Sequence, residues 1–212
     1  MESNSRKTQI LKEIFGYDSF RKGQEEIVDQ ILNGRDVLAI MPTGAGKSLC
    51  YQVPALLMSG ITIVVSPLIS LMIDQVKALN EAGVHAAYIN SALTERQITK
   101  ALELAAAGRY KMIYVAPERL LTPRFLDFAC HTELSMVTID EAHCISQWGQ
   151  DFRPSYLEIA DFLARLPRRP VVSAFTATAT ERVKQDITGS LHLQNPVTVV
   201  TGFDRPNLFF RV

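Results

Sequence analysis

Short runs of β-branched and other apolar residues recur along the chain, each bounded by polar or turn-forming residues. Seven are of strand length: 36–41 (DVLAIM), 61–65 (ITIVV), 86–89 (AAYI), 111–115 (KMIYV), 135–139 (SMVTI), 171–175 (VVSAF) and 197–200 (VTVV). Most are continuously apolar rather than alternating, which is the pattern of strands covered on both faces in a parallel sheet. Between them the period changes to that of helices. Thr94 and Gln97 form a capping box ahead of an apolar face made by Ile98, Ala101, Leu102 and Ala105. Pro154 and Ser155, with Glu158, predict a second helix start, with Tyr156, Ile159, Ala160 and Leu163 along one face. Strand and helix alternate from residue 36 to residue 200. The predicted fold is therefore α/β: a doubly wound, mainly parallel sheet with helices on both faces and right-handed crossovers. Such sheets bind ligands beyond the carboxyl ends of their strands, so chemistry is to be sought there.

Composition narrows the class. Of 212 residues 47% are apolar and 21% charged, a globular balance. Lysine plus arginine and aspartate plus glutamate both number 22, so the formal charge is zero. That excludes a strongly basic nucleic-acid coat or a polybasic membrane binder, but not a local basic groove. Cys50, Cys130 and Cys144 are odd in number and lack a C-x-x-C spacing, so neither a disulfide framework nor a zinc site is expected. The polar start MESNSRKTQ lacks the apolar stretch of a signal peptide, and the most apolar segment, 61–73, is broken by Ser66, Pro67 and Ser70. The expectation is a soluble cytoplasmic protein that does not meet a membrane.

The end of the first strand run is the most informative. It passes into Pro42-Thr43-Gly44-Ala45-Gly46-Lys47-Ser48 and then a helical stretch from Leu49. This matches G-x-x-x-x-G-K-[ST], except that Met41 stands where the first glycine is expected. Glycines there let backbone N–H groups curl around phosphate oxygens, and the new helix adds its positive N-terminal end. In this reading Thr43, Gly44, Ala45 and Gly46 cradle the phosphates, Lys47 reaches the β- and γ-phosphates, and the Ser48 hydroxyl ligates Mg²⁺. The fifth run delivers Asp140-Glu141-Ala142-His143 at a strand tip. One carboxylate there can hold Mg²⁺ through water, and its neighbour can orient and deprotonate an attacking water. Asp140 is assigned to the metal and Glu141 to the water. His143 beside Cys144 is not read as a zinc site, because adjacent residues do not easily share a tetrahedral ion.

Together the two motifs resemble the motor core of superfamily 2 helicases of the DEAH-box kind. Two further segments are similar to the RecQ family of DNA helicases. Phe15 to Gln24 (FGYDSFRKGQ) resembles its adenine-recognition motif. A glutamine amide such as that of Gln24 can pair with adenine N6 and N7, and Tyr17 and Arg21 are planar groups able to sandwich the base. Residues 142–154 (AHCISQWGQDFRP) resemble the aromatic-rich loop that follows the DEAH box in that family. Trp148 and Phe152 can stack on unpaired bases and Arg153 can meet phosphate, with packing beneath the loop as the competing role for the two rings. Ser66 to Gln75 and Ala116 to Leu120 resemble the family's motifs Ia and Ic. The resemblance places Asn90 and Arg119 on a strand-binding rim. Residues 173–179 (SAFTATA) resemble motif III, which couples hydrolysis to motion through Thr176 or Thr178, together with His143. Thr178 with Glu181 also reads as a capping box.

What the resemblance implies is the first RecA-like lobe (a P-loop NTPase fold) of an ATP-dependent 3′-to-5′ DNA helicase. Residues 1–202 make the lobe, with adenine-recognition helices at 5–33, and 203–212 begin a linker toward a second RecA-like lobe. Its cofactors are ATP and Mg²⁺, without zinc in this segment. Its partners are single-stranded and partially duplex DNA and the second lobe. A monomer is expected, nucleoid-associated in a bacterium or nuclear in a eukaryote. Isolated, the lobe is expected to bind ATP weakly and not to unwind DNA. Departures are small. Ala45 stands where relatives often have glycine, and Gln150 where many have histidine.

Overall fold

The computed structural model describes residues 2–201; the segment read as a linker, 203–212, lies outside the described residues. Seven strands form one sheet: β1 (Val37–Ile40), β2 (Ile61–Val65), β3 (Ala86–Ile89), β4 (Met112–Val115), β5 (Leu134–Ile139), β6 (Val171–Thr176) and β7 (Val197–Val200). Their spatial order is β3-β4-β2-β5-β6-β1-β7, and each neighbouring pair is parallel. The helices are α1 (Glu2–Glu13), α2 (Gln24–Leu32), α3 (Lys47–Leu57), α4 (Ile69–Glu81), α5 (Glu95–Ala106), α6 (Pro123–His131), α7 (Glu158–Arg165) and α8 (Glu181–Ser190). All seven strand-length runs are strands, shifted by at most one residue at their ends.

Successive strand residues point to opposite faces, and both faces are covered. In β2, Ile61, Ile63 and Val65 join a cluster with Ile98 and Leu102 of α5, Phe125 of α6, Phe162 of α7 and Val183 of α8. Val64 points the other way, into a cluster with Ile27 of α2, Tyr51 of α3 and Met72 of α4. Continuous burial on two faces is why these strands read as unbroken apolar runs. At the amino end of the sheet, Asp36 ties three strands together. Its carboxylate pairs with Arg169 and accepts from the backbone N–H of Val172 at 2.9 Å and of Gln194 at 2.7 Å.

Two helix starts differ in outcome. The Thr94 capping box is present, with Thr94 N–H donating to Gln97 Oε1 at 2.9 Å and Gln97 N–H donating to Thr94 Oγ1 at 3.4 Å. The start at Pro154 is instead a tight 3₁₀ turn, Pro154–Leu157, with α7 following from Glu158. Tyr156, Ile159 and Leu163 are buried as expected; Ala160 is only half-buried, and Phe162 takes the deep position.

Candidate active site

The loop after β1 is shaped by two left-handed glycines, Gly44 (φ 81°) and Gly46 (φ 80°), and α3 begins directly at Lys47. Met41 needs no glycine. It is buried at the end of β1 without a positive φ, its N–H donating to the Thr176 carbonyl at 2.9 Å. Gly46 is required for a second reason, since a Cβ there would collide with the Gln24 amide. Lys47 folds back toward the loop, 3.4 Å from the Met41 carbonyl, and Ser48 lies in the first turn of α3, half-buried. Thr43 is exposed at the loop's tip.

Gln24 does not face an open pocket with a free amide. It is 2% exposed, and its Nε2 donates to the carbonyls of Ala45 and Gly46 at 3.0 and 3.2 Å, while Oε1 accepts from Arg21 N–H at 2.8 Å. Arg21 in turn donates to the Gly44 carbonyl at 2.8 Å. Tyr17, Arg21 and Gln24 do converge, lining a small cavity of about 110 Å³ with Gly44, Gly46 and Leu49. No sequence pattern signals the grip of this motif on the phosphate loop; Gln24 pairs first with its own chain.

β5 ends opposite the loop, with β6 between them in the sheet. Asp140 is 7% exposed, and its N–H donates to the Val65 carbonyl at 2.9 Å. Burial, and then the charge of Glu141, raises its carboxyl to about 6, against the opposing pull of the Glu141 N–H and of Lys47. Tyr156, also buried, donates to the Asp140 carbonyl at 2.8 Å and pins the strand end. Glu141 adopts a left-handed backbone (φ 47°, ψ 46°), a conformation a non-glycine residue holds only where its surroundings enforce it. His143 Nδ1 lies 2.9 Å from Thr176 Oγ1 and 3.3 Å from Glu141 Oε2. Thr176 Oγ1 spends its own hydrogen on the Thr178 carbonyl at 3.0 Å, so the shared hydrogen belongs to His143 Nδ1. One side-chain path thus joins Glu141 to the end of β6. Thr178 enters that path through its backbone alone, its carbonyl accepting from Thr176 Oγ1 and its N–H donating back to that oxygen at 3.4 Å. The helix cap is not Thr178 but Thr180, whose Oγ1 accepts from Val183 N–H at 3.3 Å.

The donors at this site are a buried carboxylate and a hydroxyl, with Lys47 near enough for its charge to act on Asp140. Among the described residues no group of three or more His, Cys, Asp or Glu could hold a metal ion. A few hard oxygens beside phosphates suit Mg²⁺, which keeps several of its waters; Ser48 and Asp140 fit that ion.

The other half of the sheet carries Asn90 and Arg119, the residues expected on a strand-binding rim. Asn90, at the end of β3, is fully buried; Oδ1 accepts from Ala92 N–H at 3.0 Å and Nδ2 has no partner. Arg119 turns toward Glu95 at 3.8 Å. Arg153, expected to meet phosphate, is engaged within the chain: Nε and Nη2 donate to Asp151 and Nη1 donates to the Pro67 carbonyl at 2.9 Å. Phe152 is half-buried, whereas Trp148 is 61% exposed. Gly149 lets the loop fold back here, since a Cβ would strike the His143 carbonyl. The loop docks on α8 through contacts no sequence motif signalled: the Arg182 guanidinium lies 3.7 Å above the Trp148 ring, and Ser146 donates to Asp186 at 2.6 Å.

The pattern that defines DEAD/DEAH box helicases matches residues 21–187. The chain belongs to the DEAD/DEAH box helicase family. It is 51% identical over 208 residues to the ATP-dependent DNA helicase RecQ of Bacillus subtilis, covering 98% of this chain and 35% of that protein. It is 49% identical over 199 residues to the enzyme of the same name from Pasteurella multocida, covering 94% of this chain and 31% of that one. The chain thus spans about a third of the length of these relatives. Among solved structures, the DUF1998 helicase MrfA bound to DNA superposes with a TM-score of 0.73 at 18% identity, covering 92% of this chain and 29% of that one, a likeness of fold. The RecQ-type resemblance of the motifs and the helicase fold agree with these matches.

Proposed function

We propose that residues 1–202 are the first RecA-like lobe of a RecQ-type DNA helicase, which binds and hydrolyses Mg-ATP to move 3′-to-5′ on single-stranded DNA. The observation that carries this is the convergence of Lys47, Ser48, Asp140 and Glu141 on the carboxyl ends of β1 and β5. In this reading the backbone of residues 43–46 and the Lys47 ammonium hold the phosphates. Ser48 and Asp140 would hold Mg²⁺, which when bound would neutralise charge developing on the phosphate oxygens. Glu141 orients the attacking water and accepts its proton. His143 senses Glu141 and passes its position to Thr176. Tyr17 and Arg21 hold adenine from either side; Gln24 pairs with its edge by exchanging one bond to the loop carbonyls. Trp148 and Phe152 stack on unpaired bases, beside Asn90 and Arg119 on the rim, and Arg153 reaches phosphate on release from Asp151. Translocation needs a second lobe, which supplies the opposite wall of the cleft and an arginine that stabilises the transferred phosphoryl group, worth roughly 10³–10⁵ in rate. Residues 1–212 alone then bind ATP weakly and do not unwind.

Two substitutions test the assignment in the two-lobed protein. Glu141→Gln should slow turnover by at least about 10² while keeping ATP affinity, because it removes a proton acceptor and no phosphate ligand. Lys47→Ala should lower both ATP affinity and turnover. Collapse of ATP affinity in Glu141→Gln would reassign Glu141 to binding or structure.

A further inference from the structure

Beneath the phosphate loop lies a chain of buried polar side chains that the proposed chemistry leaves unused. Tyr51, Gln52 and Tyr114 are all buried, at 1%, 4% and 1% exposure. Gln52 Nε2 donates to Tyr114 Oη at 3.0 Å and to Gln75 Oε1 of α4 at 3.0 Å. Tyr51 stands one helical turn from Ser48 on α3, and the Ser48 and Tyr114 hydroxyls and the Asp140 carboxylate lie near enough for each to bear on its phenol. The Tyr51 ring is held in an edge-to-face pair with Phe175 of β6, centroids 5.4 Å apart.

Burying phenol and amide groups costs free energy unless they bond to one another, and phenylalanine and leucine would fill the same space without that cost. The spacing gives the polar groups a purpose. Ser48, Tyr51 and Gln52 stand at i, i+3 and i+4 on α3, so one helix face carries the hydroxyl at the loop and the two groups beneath it. We propose that Tyr51, backed by Tyr114 and Gln52, is a positioning residue that sets the Ser48 hydroxyl and the Asp140 carboxylate for Mg²⁺. The inference rests on the reading of Ser48 and Asp140 as the metal's ligands. Through Gln75 the same chain reaches α4, the helix that follows Ser66 and Pro67.

The test is a titration of mant-ATP binding to the chain, with EDTA and with rising Mg²⁺, for the unsubstituted protein, Ser48→Ala, Tyr51→Phe and Tyr114→Phe. Tyr51→Phe keeps the ring and removes one hydroxyl. It should leave affinity in EDTA within about twofold and cut the gain conferred by Mg²⁺ about fivefold, the worth of one hydrogen bond between neutral groups. Tyr114→Phe should act in the same direction, and carries the test should Tyr51→Phe not fold. An undiminished Mg²⁺ gain in these variants, or an equal loss with and without Mg²⁺, overturns the proposal. Ser48→Ala separates the two readings. If it too keeps the full Mg²⁺ gain, the metal assignment fails; if it alone loses the gain, only the role of Tyr51 fails.

Discussion

Asp140 is where the cost of the site is concentrated in one side chain. Its carboxyl takes up a proton near pH 6 in the fold, against 3.8 ordinarily, because it is buried beside Glu141. Between those values the folded chain binds more protons than the unfolded chain, so its stability falls as the pH rises and the full penalty is present above about 6. Asp140→Asn removes the charge, and its Oδ1 can still accept from the Glu141 N–H, a bond now 3.0 Å long. Without metal or nucleotide, the variant should be more stable than the unsubstituted chain at pH 7.5 by roughly 1–3 kcal/mol, and the difference should vanish near pH 4. Denaturant melts at the two pH values check this. A difference that does not change with pH would mean that Asp140 carries no buried charge. In the proposed reading bound Mg²⁺ would offset the penalty, making the residue unfavourable for the fold alone and useful to the loaded one.

At the scale of elements, α8 and the aromatic loop act as one unit. Arg182 and Asp186 stand four residues apart on α8 and meet Trp148 and Ser146 respectively. The same helix is capped by Thr180, four residues after Thr176, which bonds His143. The loop that would stack on bases is therefore latched to the segment that reports on Glu141. Trp148 is the sole tryptophan, so its emission reads the latch directly. Arg182→Ala should change that emission while lowering stability by no more than about 1 kcal/mol, as for an exposed cation–π pair. Identical spectra would mean that the guanidinium does not sit on the ring in solution. The two contacts to α8 were not legible in the sequence, because no motif marks Arg182 or Asp186. The strands were legible for the opposite reason: burial on both faces leaves no polar interruption in runs such as 61–65. Helix starts fell between. Thr94 satisfies both halves of its box locally, whereas α8 begins at Glu181 with Thr180 as its cap, leaving Thr178 two residues ahead of it and bonded to Thr176.

Across the whole molecule, the sheet divides its work. The β5-β6-β1 half brings together Asp140, Thr176 and the phosphate loop, and the β3-β4-β2 half carries Asn90 and Arg119, the residues proposed for a strand-binding rim. β5 borders β2, so the segment carrying Glu141 lies at the seam between the halves, and Arg153 crosses it to the Pro67 carbonyl. The positions of the motifs could be read from the chain, because each follows a strand; the bonds between them could not, because they join residues distant in sequence, such as Gln24 with Ala45 and His143 with Thr176. Such an arrangement suits a motor in which an unpaired strand changes the rate of ATP chemistry. The most direct measurement is steady-state ATP turnover by the two-lobed protein with single-stranded DNA, with single-stranded RNA and with no polymer. Stimulation of at least about tenfold by DNA, and little by RNA, is the predicted result. Equal stimulation by both polymers, or turnover indifferent to either, would contradict the account.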